Sequence, residues 1–278
     1  MKLLLSFLLC LLSIGITNAQ SAYPNRTIQT IMPLQAGSGV DLLFRPVAQK
    51  MGENLGQAIT IENIPGGAGL IGTTKVAQSP AEGYVLGAFN DSILTMLPNL
   101  YKKIDYDPVQ SFVPISELAA ITFVMVANPN FPGNTAADLV RIAKEKPGKI
   151  DYASGGNGSP QHIGMEIFRQ YTGAPIVHIP YRGAAAAVTD VMAGQVELMF
   201  AAVGNVQQHI RTGKLKALGI TARKRWSELP DVPTIDEAAV KGFVYTPWYG
   251  FWFPAGVPTE HINRMRHEVA KLLDEPDI

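Results

Sequence analysis

The sequence predicts an α/β protein of two lobes, each a sheet of parallel strands covered by helices. Three observations predict it. Strand-like and helix-like stretches alternate along the chain with loops between them. Two glycine- and serine-rich loops stand in separate halves, each at the carboxyl end of a strand. Two further stretches, near residues 119–125 and 241–249, fit as crossovers between lobes, which makes the first lobe discontinuous.

The bulk properties agree. The chain has 278 residues, 47% of them hydrophobic, enough apolar material for one large domain or two smaller lobes. Its 23 basic and 23 acidic side chains balance. That excludes the concentrated basic face that nucleic acid demands, and no run of like charges suggests a polybasic membrane patch or an acidic tail.

The first element is an expected signal peptide, residues 1–19. Lys2 supplies the positive start, residues 3–16 are almost unbroken apolar, and Thr17-Asn18-Ala19 places compact residues for cleavage after Ala19. The apolar run spans about 14 residues, short of the roughly 20 that cross a bilayer as a helix. A lipid anchor at Cys10 fits poorly, because Leu8 and Leu9 precede it where small residues belong. Removing the segment removes Cys10, the sole cysteine, so the expected mature protein has no disulfide, thiol nucleophile or thiolate metal site.

The remaining elements follow in order. Residues 27–33 read as a strand, Ala36-Gly37-Ser38-Gly39 as a loop, and residues 41–55 as a helix, with apolar Leu42, Phe44, Val47, Ala48, Met51 and Leu55 at helical spacing. Residues 58–62 and 83–88 are further strands, separated by a loop at 65–69. The proline-bearing stretches 105–114 and 127–133 read as surface loops or crossovers. In the second half the cadence returns: strand 150–153, loop 154–159, helix 161–171, strand 176–179, helix 184–193, then strands 196–200 and 215–220.

Two loops carry candidate binding chemistry. In Pro33-Leu34-Gln35-Ala36-Gly37-Ser38-Gly39-Val40-Asp41, glycines admit close approach to the backbone. The amides opening the helix are unpaired donors at the positive end of its dipole, suited to a carboxylate or phosphate. The same residues read equally well as a tight turn capped by Ser38 or Asp41. The loop Ser154-Gly155-Gly156-Asn157-Gly158-Ser159-Pro160 has the same character, and ligands of open α/β sheets bind at such strand ends. Facing loops from two lobes would form a clamp on one anion.

Gly67-Ala68-Gly69-Leu70-Ile71-Gly72 satisfies a dinucleotide fingerprint, with Asp91 about 20 residues on. Expected export makes a nucleotide cofactor improbable, and Pro65 interrupts the tight turn, so it reads as a glycine loop leading into a short helix. No nucleophile elbow occurs, and His162, His178, His209, His261 and His267 form no metalloprotease motif. Catalytic residues, metal ligands and cofactors are therefore expected to be absent. His162 follows the second loop and is either a ligand contact or a packed histidine. Arg182 pairs either with a ligand carboxylate or with a surface acid. The aromatic cluster at Trp248, Tyr249, Phe251, Trp252 and Phe253 reads as core.

These segments, in this order, resemble the Bug family, the periplasmic solute-binding proteins of tripartite tricarboxylate transporters. The resemblance begins at Tyr23-Pro24 and runs through the loop and helix from Pro33 to Arg45. It continues in Ile61-Glu62-Asn63-Ile64-Pro65-Gly66-Gly67, Gly83-Tyr84-Val85-Leu86 and Asp105-Tyr106-Asp107-Pro108. The second half adds Lys146-Pro147-Gly148-Lys149, Tyr152-Ala153-Ser154-Gly155, Pro180-Tyr181-Arg182-Gly183, Leu229-Pro230-Asp231-Val232-Pro233-Thr234 and Trp248-Tyr249-Gly250. Each motif alone is weak, and about ten in register are specific.

The resemblance implies a two-lobe periplasmic-binding-protein type II fold with a hinge. Lobe 1 would take residues 23–120 and 242–278, and lobe 2 residues 121–241. It implies an exported, periplasmic, monomeric binding protein, not an enzyme, that captures a small organic acid for membrane transporter subunits. A ligand-sensing receptor for a signalling partner and an enzyme on the same fold are the alternatives. Carried onto this chain, the ligand carboxylate would meet Ala36, Gly37, Ser38, Gly39, Val40 and Asp41 from one loop. Ser154, Gly155, Gly158, Ser159 and His162 would meet it from the other. Asn90, Ser92, Arg182, Gly183, Ala184, Ala201 and Val203 would surround the variable end. This chain has Met199-Phe200-Ala201-Ala202 where the family often has an aspartate, which points away from amino-acid ligands. Family members also continue beyond the point matching Ile278, so the last part of lobe 1 is expected to be shortened.

Overall fold

The computed structural model describes residues 23–275, and the expected signal peptide lies outside them. The chain begins with β1 (Ile28–Met32), α1 (Gly39–Leu55), β2 (Ile59–Asn63), a single helical turn at Gly67–Gly69, α2 (Leu70–Ala77) and β3 (Val85–Asn90). Two short helices, α3 (Ser92–Thr95) and α4 (Leu97–Leu100), lead to β4 (Phe112–Ala120). The second half runs β5 (Phe123–Ala127), α5 (Ala136–Glu145), β6 (Asp151–Ser154), α6 (Pro160–Thr172), β7 (Val177–Pro180) and α7 (Ala184–Ala193). It continues with β8 (Leu198–Ala202), α8 (Val203–Arg211), β9 (Lys216–Ile220) and α9 (Ile235–Ala238), and the chain returns as β10 (Trp248–Pro254) and α10 (Thr259–Leu273).

The strands form two five-stranded sheets on one plan. The first has the order β2-β1-β3-β10-β4 and the second β7-β6-β8-β5-β9. In each, three parallel strands adjoin one antiparallel strand: β10 pairs antiparallel with β3 and β4, and β5 with β8 and β9. The all-parallel expectation is corrected here, and the reason is the route of the chain. The chain leaves β4 at its carboxyl end and enters the other sheet after two residues, so β5 must run the opposite way to β6 and β8. The return into β10 repeats this. The two crossing segments touch, with the Ile121 N–H donating to the Pro247 carbonyl at 2.6 Å.

Both faces of each sheet are buried. In β5, Phe123, Met125 and Ala127 enter one core while Val124 and Val126 enter another, the two-residue period of a strand covered on both sides. In β10, Phe251 and Phe253 pack with Phe44, Met51, Met265 and Val269, while Trp252 stacks on Phe89 across the sheet, centroids 4.3 Å apart. The aromatic cluster is thus a central strand as well as core. Proline at 114 is tolerated because β4 is an edge strand. The unassigned stretch 259–273 forms α10, which lays Ile262, Met265, Val269 and Leu272 against the first sheet. Full burial of such side chains contributes roughly 1.5–3 kcal/mol each.

Candidate functional site

The parallel strands of both sheets point their carboxyl ends at the space between the lobes, and the loops that follow them form its walls. After β1, residues 33–38 turn into α1. Ser38 is the N-cap, its Oγ accepting from the Asp41 N–H at 3.3 Å. Asp41 is almost fully buried and binds the loop together. Its carboxylate accepts from the Gly37 N–H (3.0 Å), Arg45 Nε (2.9 Å), Arg45 Nη2 (2.8 Å) and Asn63 Nδ2 (3.0 Å). Asn63 also donates to the Leu34 carbonyl at 3.0 Å. Burial pushes the Asp41 carboxyl up, but the hydrogen bonds from Arg45, Gly37 and Asn63 outweigh it and hold it below its ordinary range. Gly37 takes the left-handed φ of +77° that this turn requires.

The loop after β6 is held by neutral groups. Ser159 caps α6 and accepts from the His162 N–H at 3.4 Å. The Gly158 N–H donates to His162 Nδ1 at 3.1 Å, so the His162 proton sits on Nε2. His162 stacks on His178 with centroids 4.0 Å apart, and His178 stacks on Tyr152 at 4.9 Å. The Tyr152 hydroxyl donates to Glu166 at 2.6 Å, and Glu166 pairs with Arg169. Burial pulls both imidazoles down, and with the neighbouring His162 it takes His178 to about 4. Ser154 Oγ lies 2.6 Å from His178 Nε2, the spacing of a nucleophile and its base. Ser154 is fully buried and its hydroxyl also donates to the Gly156 carbonyl and accepts from the Gly156 N–H, so the pair braces the loop.

Two connected chambers lie between these loops. The inner one, about 60 Å³, is lined by Ser38, Val40, Asn90, Ser92, Gly155, Ser159, Gly183 and Ala184 among the expected residues. The outer one, about 490 Å³, is lined by Arg182, Tyr181, Gly156 and the turn at 65–69. The other expected residues stand elsewhere. Ala36 and Gly37 are exposed in the first loop, Asp41 is buried beneath it, and Ser154 and His162 belong to the bracing network. Gly158 packs across the lobes, where an added β-carbon would lie 2.7 Å from Leu97 Cδ2. Ala201 and Val203 lie in the core of the second lobe. Gly39 opens α1 beside Val40.

Inner-chamber residues absent from the expected set are Leu34, Gln35, Ala68, Pro160, Gln161 and Tyr249. Gln35 and Gln161 flank the two caps in sequence, and that adjacency was the available signal. Ala68 lies in the glycine turn that satisfies the dinucleotide fingerprint, and Tyr249 lines the wall as well as packing in the first lobe's core. Asp91, between Asn90 and Ser92, is off the wall. Its N–H donates to the Trp248 carbonyl at 3.0 Å, and burial pushes its carboxyl up to about 6.

The electrostatics of the walls have one sign. Among the described residues, Arg182 is the sole charged side chain lining either chamber, and no acidic residue lines them. The amino ends of α1, α2, α6 and α7 converge there, and α2 and α7 carry no side-chain cap. The first amide of α7, that of Ala184, is a donor without a partner in the helix, whereas in α2 the Leu70 and Ile71 N–H groups donate to the Gly67 and Gly66 carbonyls of the preceding turn. Among the described residues no group of three or more His, Cys, Asp or Glu side chains could hold a metal ion. Two larger hollows, about 590 and 640 Å³, lie along residues 163–175 and 45–61, outside the cleft.

Residues 43–278 match the family model described as the tripartite tricarboxylate transporter family receptor. Solved structures similar to the chain include the periplasmic binding protein BugD, 34% identical with a TM-score of 0.86 over 92% of this chain and 85% of that one. The R. palustris protein Rpa4515, solved with adipate, is 30% identical with a TM-score of 0.87 over 92% of this chain and 85% of that one. MatC from Rhodopseudomonas palustris, solved with bound malate, is 27% identical with a TM-score of 0.86 over 92% and 87%.

Proposed function

The chain belongs to the tripartite tricarboxylate transporter receptor family, and from that premise we propose that it is a periplasmic solute-binding protein that captures a small di- or tricarboxylate and presents it to membrane transporter subunits. The observation that carries the reading is the charge of the cleft: four helix amino ends and one arginine, with no acidic side chain on the wall. A carboxylate placed there gains hydrogen bonds from oriented amides at little reorganisation cost. The adipate and malate of the similar structures belong to the same ligand class.

On this reading residues 23–120 with 242–278 form one lobe and residues 121–241 the other, and the two crossings act as the hinge. A ligand that touches both lobes shifts the population toward the closed state, which the membrane partner reads. The chemistry is binding alone. Ser154 and His178 have the spacing of a catalytic pair, but the hydroxyl is buried behind the wall.

A thermal-shift series against mono-, di- and tricarboxylates tests the proposal. A bound acid raises the melting temperature as its concentration passes Kd, with roughly 2.7 kcal/mol of added stability at a hundredfold excess over Kd, and is recovered unchanged. A folded protein that no acid stabilises overturns the carboxylate reading, and an acid returned chemically altered overturns the binding-only reading.

A further inference from the structure

The two chambers meet at a waist. Leu34, Gln35, Ala68, Gly155 and Gly183 line both of them. Three of these are glycine or alanine, with no side chain that can swing. Leu34 is anchored by packing against the core of the first lobe. Gln35 differs, being exposed and long, and its side chain makes no hydrogen bond or ion pair with the described residues. Only its backbone carbonyl is engaged, accepting from the Ser38 N–H at 3.2 Å.

The Gln35 carboxamide lies on the opposite lobe. A β-carbon built on Gly183 would stand 2.3 Å from Gln35 Oε1 and 3.1 Å from its carbonyl carbon. Gly183, at φ +120°, is the N-cap of α7, whose first turn has no side-chain cap. The carboxamide oxygen therefore stands at the uncapped start of a helix, a neutral dipole where the field favours a negative charge. It closes an inner chamber of about 60 Å³ against an outer one of about 490 Å³ that contains the only charged side chain of the walls, Arg182.

We propose that Gln35 sets the length of acid this protein accepts, as a movable partition between the two chambers. The inference rests on the carboxylate reading of the cleft and adds the residue that selects among carboxylates. A short acid is held by the inner chamber with the partition closed. A long dicarboxylate must displace the carboxamide from the start of α7 to bring its second carboxylate toward Arg182. No hydrogen bond of the side chain is lost in that movement, so the barrier is steric and side-chain entropic.

Titration calorimetry with straight-chain α,ω-dicarboxylates of increasing length, from malonate through succinate and adipate to suberate, tests this on the wild-type protein and on Gln35→Ala. The expected result is an affinity ratio of suberate to succinate that rises about tenfold in Gln35→Ala, with an unchanged melting temperature in the absence of ligand. Gln35→Glu, which puts a negative charge at the waist, weakens every acid by about tenfold or more. A suberate-to-succinate ratio that is unchanged or lower in Gln35→Ala, while acids still bind, overturns the partition and leaves the carboxylate reading intact. Acids that bind neither protein, both being folded, overturn the two together. If Gln35→Ala does not fold, Gln35→Glu alone decides, and affinities equal to wild type overturn the proposal.

Discussion

The two glycine loops that face each other across the cleft look interchangeable in sequence, yet they are held in different ways. The first is fastened by charge: a buried Asp41 carboxylate gathers Arg45, Asn63 and the Gly37 amide. The second is fastened by neutral groups: His162 and His178 stack, and His178 hydrogen-bonds Ser154 behind the loop. The ion-paired loop needs its acid ionised, and the stacked loop needs its histidines uncharged. The two halves of one clamp therefore have different tolerances to acid.

The largest effect is expected from Asp41→Ala, which leaves Arg45, Asn63 and the Gly37 N–H without their shared acceptor. Urea unfolding at pH 7 should show a loss of about 2–3 kcal/mol, with acid affinity falling more than tenfold. A loss no larger than that of a cap substitution would mean that the ion pair is not what holds the first loop. In the wild-type protein the Asp41 carboxyl is held below its ordinary 3.8, so its contribution is complete above that value and fades only as pH falls below it.

Acid should reach the second loop earlier. His178 is held to about 4 when folded against 6.5 when free, so between those values the unfolded chain binds the extra proton and stability falls as pH drops. The fall should be about 1–2 kcal/mol between pH 6.5 and 4.5, because water at the half-buried ring screens part of the effect. Urea midpoints across that range should flatten in His178→Phe, which keeps the stack and removes the titration. An equal slope in the variant would place the acid sensitivity elsewhere.

The smallest effect sharpens the comparison from the shared feature. Ser38→Ala and Ser159→Ala each remove one N-cap and should cost about 1 kcal/mol, nearly equally. Unequal costs would show that the anchoring beneath the caps, and not the caps alone, differs between the loops.

Much of this was legible in local sequence. The serine caps and the glycines sit where chain geometry demands a cap or a positive φ, and the strand–loop–helix cadence located both loops. What escaped depends on partners distant in the chain. Asn63 joins Asp41 from 22 positions away, and His178 reaches Ser154 from 24. Trp248 to Pro254 forms a strand in the middle of the first sheet, but its aromatic run carries no sign of which neighbours it pairs with. The cadence also could not reveal that β5 and β10 run antiparallel, because direction is set by the route between sheets. Gln35 matters through Gly183, which local sequence does not bring near it.

One consequence follows from where β10 sits. It is flanked by β3 and β4, strands made more than a hundred residues earlier, so the first sheet has a gap between its central strand β3 and its edge strand β4 until nearly the whole chain is available. Synthesis of the first 120 residues yields β4 with no neighbour to pair with, and closing the gap means joining segments far apart along the chain, a slow step in folding. A growing polypeptide of this design stays incomplete until late, with its first sheet open while most of the chain is still being made.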